Sequence, residues 1–316
     1  MISIRNIMSK IEIVYPSFTK KAVTFTIDDG NMKYDSMLLA ILKPRGILGT
    51  FNLCSDLHLG KEEQTREFYS GYGIANHQKY HPIVNYDGVD YVISEDDFDP
   101  ATANASMIYR VAGKDGFFWY MKPNGWRQMV FEDDFLSYIK EGKSELEEIL
   151  GISEVKDFVW PYGEQNNAAA HELIRKLHRS ARITGCTLDT TRFAIPSDKY
   201  AWSYNADHRN LLEVMEKYER YPDDGELKFF AFGVHSADFE RDGKWEELSI
   251  FADKYGSRPE TYWYASVGDI FDYDEAVSGI VITEEKVVNG SDLAVYLKVD
   301  GECVILEPHS ELVLRN

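Results

Sequence analysis

The run Thr24-Phe25-Thr26-Ile27-Asp28-Asp29-Gly30 joins β-branched and aromatic residues to two consecutive carboxylates and a glycine. Residues of the first kind favour a strand, and in α/β barrels catalysis gathers where strands end. Adjacent side chains at a strand end point in different directions, so one carboxylate can take a metal while its neighbour stays free as a base. Read alone, the string fits a capping aspartate and an Asp-Gly turn equally well.

Outward from this run, short apolar stretches alternate with helical patterns, which points to α/β units and a mostly parallel sheet. Strands are expected at residues 22–27, 47–52, 72–76, 157–160, 181–184, 228–234 and 261–265. Helical periodicity falls at 34–42, 132–150, 167–178, 209–218 and 245–255, giving a barrel-like rhythm. Two segments interrupt it. Residues 83–130 are rich in aromatics, glycine and aspartate, and Gly113-Lys114-Asp115-Gly116 separates two apolar runs, so β-hairpins inserted in the barrel are expected. Residues 278–316 alternate as strands, with Asn289-Gly290 and Asp300-Gly301 as hairpin turns, and read as a small antiparallel β appendage to a main unit of residues 1–277.

With 53 acidic against 34 basic side chains the formal charge is -19, so the long-range field repels polyanions. Nucleic acid and anionic membranes are poor partners, and neutral or cationic substrates fit better. The first ten residues lack the apolar core of a secretory signal, and no stretch approaches membrane-spanning length. The sequence as it stands reads as cytoplasmic; a signal peptide already removed would make the same chain a secreted one. Cys54, Cys186 and Cys303 lack metal-type spacing and are odd in number, which suggests buried free thiols. The sequence leaves the oligomeric state open.

Three further strings carry polar chemistry to expected strand ends. In Asn76-His77-Gln78-Lys79-Tyr80-His81-Pro82, two imidazoles four apart share one face of a helical turn and can converge on a cation, although such a pair is more often structural. With one aspartate they make three N/O ligands and leave positions open for water and substrate. In Phe158-Val159-Trp160-Pro161-Tyr162-Gly163, a strand runs into a turn able to wall a groove and aim a backbone N–H at an oxyanion, or simply ends. In Phe229-Phe230-Ala231-Phe232-Gly233-Val234-His235, an apolar strand delivers a histidine that would either protonate a leaving group or rest satisfied in the core.

In order and spacing, these strings resemble the polysaccharide deacetylases of carbohydrate esterase family four, the NodB-homology group, across roughly residues 21–273. Thr26-Ile27-Asp28-Asp29-Gly30 is similar to the family's first motif, His77 to His81 to its second, Trp160-Pro161-Tyr162-Gly163 to its third, and Val234-His235 to its apolar-plus-histidine motif. The resemblance implies a distorted (β/α) barrel of about seven parallel strands. It implies Asp28 as the base, Asp29, His77 and His81 as metal ligands, His235 as the acid, and Trp160, Pro161 and Tyr162 as oxyanion and substrate groove. One divalent ion is implied, zinc by default, with Co, Ni or Mn suited to the same ligands.

The implied activity is removal of N- or O-linked acetyl groups from an oligosaccharide or polysaccharide. Alternatives are hydrolysis of a non-peptide C–N bond in a non-sugar substrate, or a catalytically silent carbohydrate binder. Tyr109, Phe117, Phe118, Trp119, Tyr120 and Trp126 of the insert would stack on sugar faces or form the insert's own core. Val159 stands where many members carry an arginine that orients the base, which leaves the tuning of Asp28 open. No clear counterpart of the Asp-x-x-Asp-Trp motif that tunes the acid is present; Trp202 and Asp238 are the candidates to support His235, with Asp207 and His208 nearby.

Overall fold

The strand Lys21–Asp29 is buried from Ala22 through Asp28, as a strand covered on both faces must be. It pairs in parallel with Gly49–Leu53 on one side and Lys228–His235 on the other. The sheet continues through Gly73–Asn76 and Asp157–Val159 to Ser180–Arg182, all parallel. Trp263–Tyr264 pairs with Ala22 and Val23 and makes the seventh strand. Residues 202–206 carry the curl onward, since Trp202 bridges to Arg182 and Ala206 to Phe232. The expected curled α/β sheet of seven parallel strands is therefore present. The computed structural model describes residues 10–84, 91–99, 102, 109–113, 116–121, 125–164 and 166–314.

Alternation along the central strand divides its labour. Val23, Phe25 and Ile27 face the helices Met32–Leu42, Leu211–Glu219 and Trp245–Tyr255, where they pack with Leu38, Leu42, Met215 and Phe251. Thr24, Thr26 and Asp28 take the opposite face as a buried polar column inside the curl. The helices Glu132–Leu150 and Ala168–Leu177 also lie where the periodicity placed them. The helix Glu62–Tyr69 was not anticipated: its sequence is largely polar, and only Thr65 and Tyr69, four apart, are buried. Among the described residues no helix is long and apolar enough to cross a membrane.

Within the insert, Tyr109–Gly113, Gly116–Met121 and Gly125–Val130 form the expected antiparallel hairpins, and Tyr91–Ser94 joins them in parallel. The side chains of Tyr109, Phe117, Phe118, Trp119, Tyr120 and Trp126 lie outside the described part of the structure. In the tail, Asp300 (φ 53°) and Gly301 (φ 89°) make a hairpin turn between Val295–Val299 and Glu302–Leu306, as their sequence suggests.

Asn289-Gly290 is no hairpin. Lys286–Asn289 pairs instead with Ser310–Val313, and the buried Asn289 amide donates to the carbonyls of Leu293, Leu306 and Glu307. Ile11–Val14, near the other end of the chain, pairs antiparallel with Val295–Val299. Val287, Val295 and Leu297 share an apolar cluster with Phe229 and Phe271. The three cysteines are free, but only Cys54 is buried; Cys186 and Cys303 are exposed, contrary to expectation.

Candidate metal centre

Register brings the polar residues to one rim. His235 lies beside Asp28, Asp28 beside Asn52, and Val159 beside Arg182, all at the C-terminal ends of parallel strands. At the end of its strand Asp29 adopts φ 75°, a left-handed conformation that costs most non-glycine residues energy and that aspartate tolerates better than most. Gly30 follows at φ 78°. The two carboxylates consequently serve different partners.

His77 and His81 converge without a helix, which corrects the expected helical turn. Gln78, at φ 69°, bends the chain between them. The loop is fixed by its backbone: His77 N–H donates to Leu53, Ser55 N–H to the Gln78 carbonyl, and Lys79 N–H to Tyr138 in the helix Glu132–Leu150. Gly142 of that helix allows the close approach, since a Cβ there would lie 2.5 Å from the Gln78 carbonyl carbon.

His77 Nδ1 donates to the Val159 carbonyl at 2.8 Å. A carbonyl can only accept, so the proton sits on Nδ1 and the Nε2 lone pair faces the site. His77 Nε2 stands 3.0 Å from His81 Nε2, and the two lie 3.6 and 3.7 Å from Asp29 Oδ1. That carboxylate oxygen is buried and has no hydrogen-bond partner. Burial lowers the pKa of His77 to about 4 and that of His81 to about 3, so both rings are neutral at neutral pH. Burial pushes the Asp29 carboxyl up, and the Asp28 charge beside it adds to that effect.

Electron-rich atoms gathered on one point call for a positive charge between them. The three atoms lie on a circle of radius about 2.0 Å, the length of a zinc–imidazole bond. Asp29, His77 and His81 therefore fit a divalent cation, and they form the metal-competent cluster found among the described residues.

Asp28 is held separately. Its Oδ1 accepts from Asn52 Nδ2 at 2.6 Å and its Oδ2 from Arg182 Nη2 at 2.5 Å. Burial alone would raise its pKa, but Arg182, His77 and His235 hold the carboxyl far below the usual carboxylate range. His235 Nε2 approaches Asp28 Oδ2 at 4.0 Å and Asp29 Oδ2 at 3.9 Å, while its Nδ1 lies 3.1 Å from Asp238 Oδ2. Burial lowers the pKa of His235, yet these three carboxylates outweigh it and raise it to about 9. Asp238 is itself braced by Arg241 Nη1 at 2.5 Å.

Other expected positions are corrected. Trp160 does not line a groove: it is 1% exposed and packs against Phe135, Phe158 and His171. Pro161 is buried, whereas Tyr162 is 45% exposed and sets its ring edge-on to His81, with centroids 4.3 Å apart. Trp202 does not support His235; its ring lies in the core against Phe229 and Phe271. Asp207 pairs with Arg209, and His208 with Asp242. Arg182 and Asn52 were missed, although an arginine inside an apolar strand already signals a buried partner. Beside the cluster opens a cavity of about 610 Å³, walled by Gly30, Met32, Cys54, His58, Tyr80 and Ser236, a size suited to a small ligand.

No curated protein matches the chain. Among solved structures it is similar to peptidoglycan deacetylase PdaC from Bacillus subtilis, at 13% identity and TM-score 0.43 over 82% of this chain and 94% of that one. It is similar to a family 4 carbohydrate esterase from Streptomyces lividans in complex with acetate, at 14% identity and TM-score 0.42 over 75% and 90%. A mutant of a CE4 family pseudoenzyme matches at 12% identity and TM-score 0.42 over 79% and 67%. Residues 16–180, a little over half of the chain, match the family model for polysaccharide deacetylase and include Asp28, Asp29, His77 and His81. The chain belongs to the polysaccharide deacetylase family.

Proposed function

We propose that the protein is a metal-dependent deacetylase that removes N- or O-linked acetyl groups from a carbohydrate. The observation that carries this reading is the orphaned, buried Asp29 Oδ1 facing two neutral imidazoles, with an ionised carboxylate and a protonated histidine on either side. A divalent cation held by Asp29, His77 and His81, zinc by default, would supply Lewis acidity to the scissile carbonyl and to water.

The chain's own groups supply the proton transfers. Asp28, fixed by Asn52 and Arg182, takes the proton of the attacking water. His235, oriented through Nδ1 by Asp238, gives the proton on Nε2 to the departing nitrogen or oxygen. The Tyr162 backbone N–H is the candidate donor to the oxyanion, on the exposed turn beside His81. The exposed Tyr162 ring beside His81 suits stacking on a sugar face.

The test is acetate release from acetylated chitooligosaccharides and synthetic acetyl esters by zinc-loaded protein, wild type beside Asp28→Asn. Turnover lost in the variant and on chelation supports the reading. No turnover on any acetylated sugar, with turnover on a non-sugar amide, would move the assignment to another C–N hydrolase. No turnover on any of these substrates, with acetylated chitooligosaccharides still bound, would make the chain a silent carbohydrate binder.

A further inference from the structure

The cavity beside the metal cluster is continuous with it, for Asp28, Asp29, His81 and His235 stand in its wall. A substrate whose acetyl group lies at the cluster puts its adjoining unit into this space, and the charges there decide what that unit carries. Lys33 and Lys61 line it. Lys33 Nζ lies 3.5 Å from Tyr34 Oη, and Lys61 Nζ donates to the Leu57 carbonyl at 3.3 Å. Neither ammonium meets a carboxylate among the described residues, whereas Lys79, Lys143 and Lys228 each do. Asp56 is the one acid lining the cavity outside the metal site, among the described residues.

His58 adds a buried donor to the same wall. It is 1% exposed, and burial lowers its pKa to about 4, so the ring is neutral. Its Nδ1 lies 3.3 Å from the hydroxyl of Thr65, a fully buried residue of the helix Glu62–Tyr69. That hydroxyl has no other hydrogen-bond partner among the described residues, so it donates to Nδ1 and the ring proton sits on Nε2. The Nε2–H is buried and unpartnered, a cost that an oxygen from a ligand would remove. It borders the space that Gly30 leaves free, since a Cβ there would lie 2.6 Å from Nε2.

We propose that this cavity is a subsite for a carboxylate on the unit next to the acetylated sugar, received by Lys33, Lys61 and the His58 Nε2–H. The substrate is then an acidic oligosaccharide of uronate and N-acetylhexosamine units. The inference rests on the deacetylase reading and names its substrate class. Close to the cluster, Arg182 balances Asp28, and the cation would balance Asp29, which leaves Asp56 as the acid facing the two lysines. The overall charge of -19 opposes a long polyanion, but it is screened beyond about 8–10 Å in physiological salt, and a single carboxylate responds to the lysines nearest it.

The experiment compares two probes, fully acetylated chitotetraose and a tetrasaccharide alternating glucuronate with N-acetylglucosamine. Acetate release is measured for zinc-loaded wild type, Lys33→Met/Lys61→Met and His58→Phe. Calorimetry measures binding of both probes to Asp28→Asn protein with and without the lysine substitutions, independently of turnover. The uronate probe is expected to be preferred about tenfold in kcat/KM and in affinity, the scale of two exposed ion pairs. Loss of both lysines, or about 0.5 M salt, should bring the preference near unity, and His58→Phe should reduce it. If His58→Phe does not fold, the lysine variant, altered only at exposed side chains, carries the comparison. No preference for the uronate probe, or a preference that survives loss of both lysines, would overturn the proposal while hydrolysis of chitotetraose leaves the deacetylase reading standing. If neither probe is hydrolysed, that reading fails, and the calorimetric preference and its loss with the lysines still decide whether the cavity takes a carboxylate.

Discussion

Gly142→Ala sets two effects of opposite sign against each other. Gly142 lies inside the helix Glu132–Leu150, where alanine should gain about 1 kcal/mol of helix propensity. Its Cβ would lie 2.5 Å from the Gln78 carbonyl carbon, 2.6 Å from the Lys79 nitrogen and 2.7 Å from Asn76 Oδ1. Ordinary contact begins at about 3.5 Å, so the loop must retreat by about 1 Å. These are mostly backbone atoms, tied at both ends by the His77–Leu53 and Lys79–Tyr138 hydrogen bonds, and they cannot rotate aside.

Overpacking of this kind costs about 1–3 kcal/mol, which outweighs the propensity gain at most of that range. The same 1 Å separates His77 and His81 from Asp29. Chemical denaturation should show net destabilisation of up to about 2 kcal/mol, and zinc titration against a competing chelator should show weakened binding. A variant more stable than wild type with unchanged zinc affinity would refute the claim that this helix sets the loop.

Two further outcomes follow from buried charges. Asp35, fully buried with Tyr69 donating to its Oδ2 at 2.7 Å, has its pKa raised by burial to about 6. Its folded form holds a proton that the unfolded chain releases near 3.8, so stability falls as pH rises from about 4 to 6. Asp35→Asn should therefore match wild type below pH 4 and exceed it by up to about 3 kcal/mol above pH 6; a gap that is constant with pH would refute this. Asp238→Ala removes the carboxylate on His235 Nδ1; neighbouring carboxylates raise the pKa of His235 to about 9, so a basic limb is expected near there in wild type and should move down by about one unit in the variant. An unmoved limb would mean that His235 is not the acid or that Asp238 does not tune it.

How much was readable depends on where the information sits. Lys228–His235 announces itself as a nearly continuous apolar run, as a strand buried on both faces tends to be, and Lys21–Asp29 by its β-branched and aromatic residues. The candidate ligands were legible because Asp29, His77 and His81 each end such a strand or follow it closely. Arg182 and Asn52 were not, since their meeting with Asp28 depends on register between strands far apart in sequence. Trp160 was placed on the wrong side for a local reason: it shares a face with Phe158 at spacing two, and that face packs on the helix Glu132–Leu150. Asn289 was read as a turn residue from its glycine neighbour, whereas its side chain replaces backbone partners for three carbonyls. The bend at Gln78 has no sequence signature, because a glutamine at positive φ is held there by the hydrogen bonds around it.

The central claim is that one cation is bound by Asp29, His77 and His81. Anomalous diffraction at the zinc edge from zinc-loaded crystals tests it most directly. The account predicts one strong peak about 2.0–2.2 Å from Asp29 Oδ1, His77 Nε2 and His81 Nε2, absent from His77→Ala crystals. A peak elsewhere, or Asp29 turned away from two histidines that hydrogen-bond each other, would contradict it.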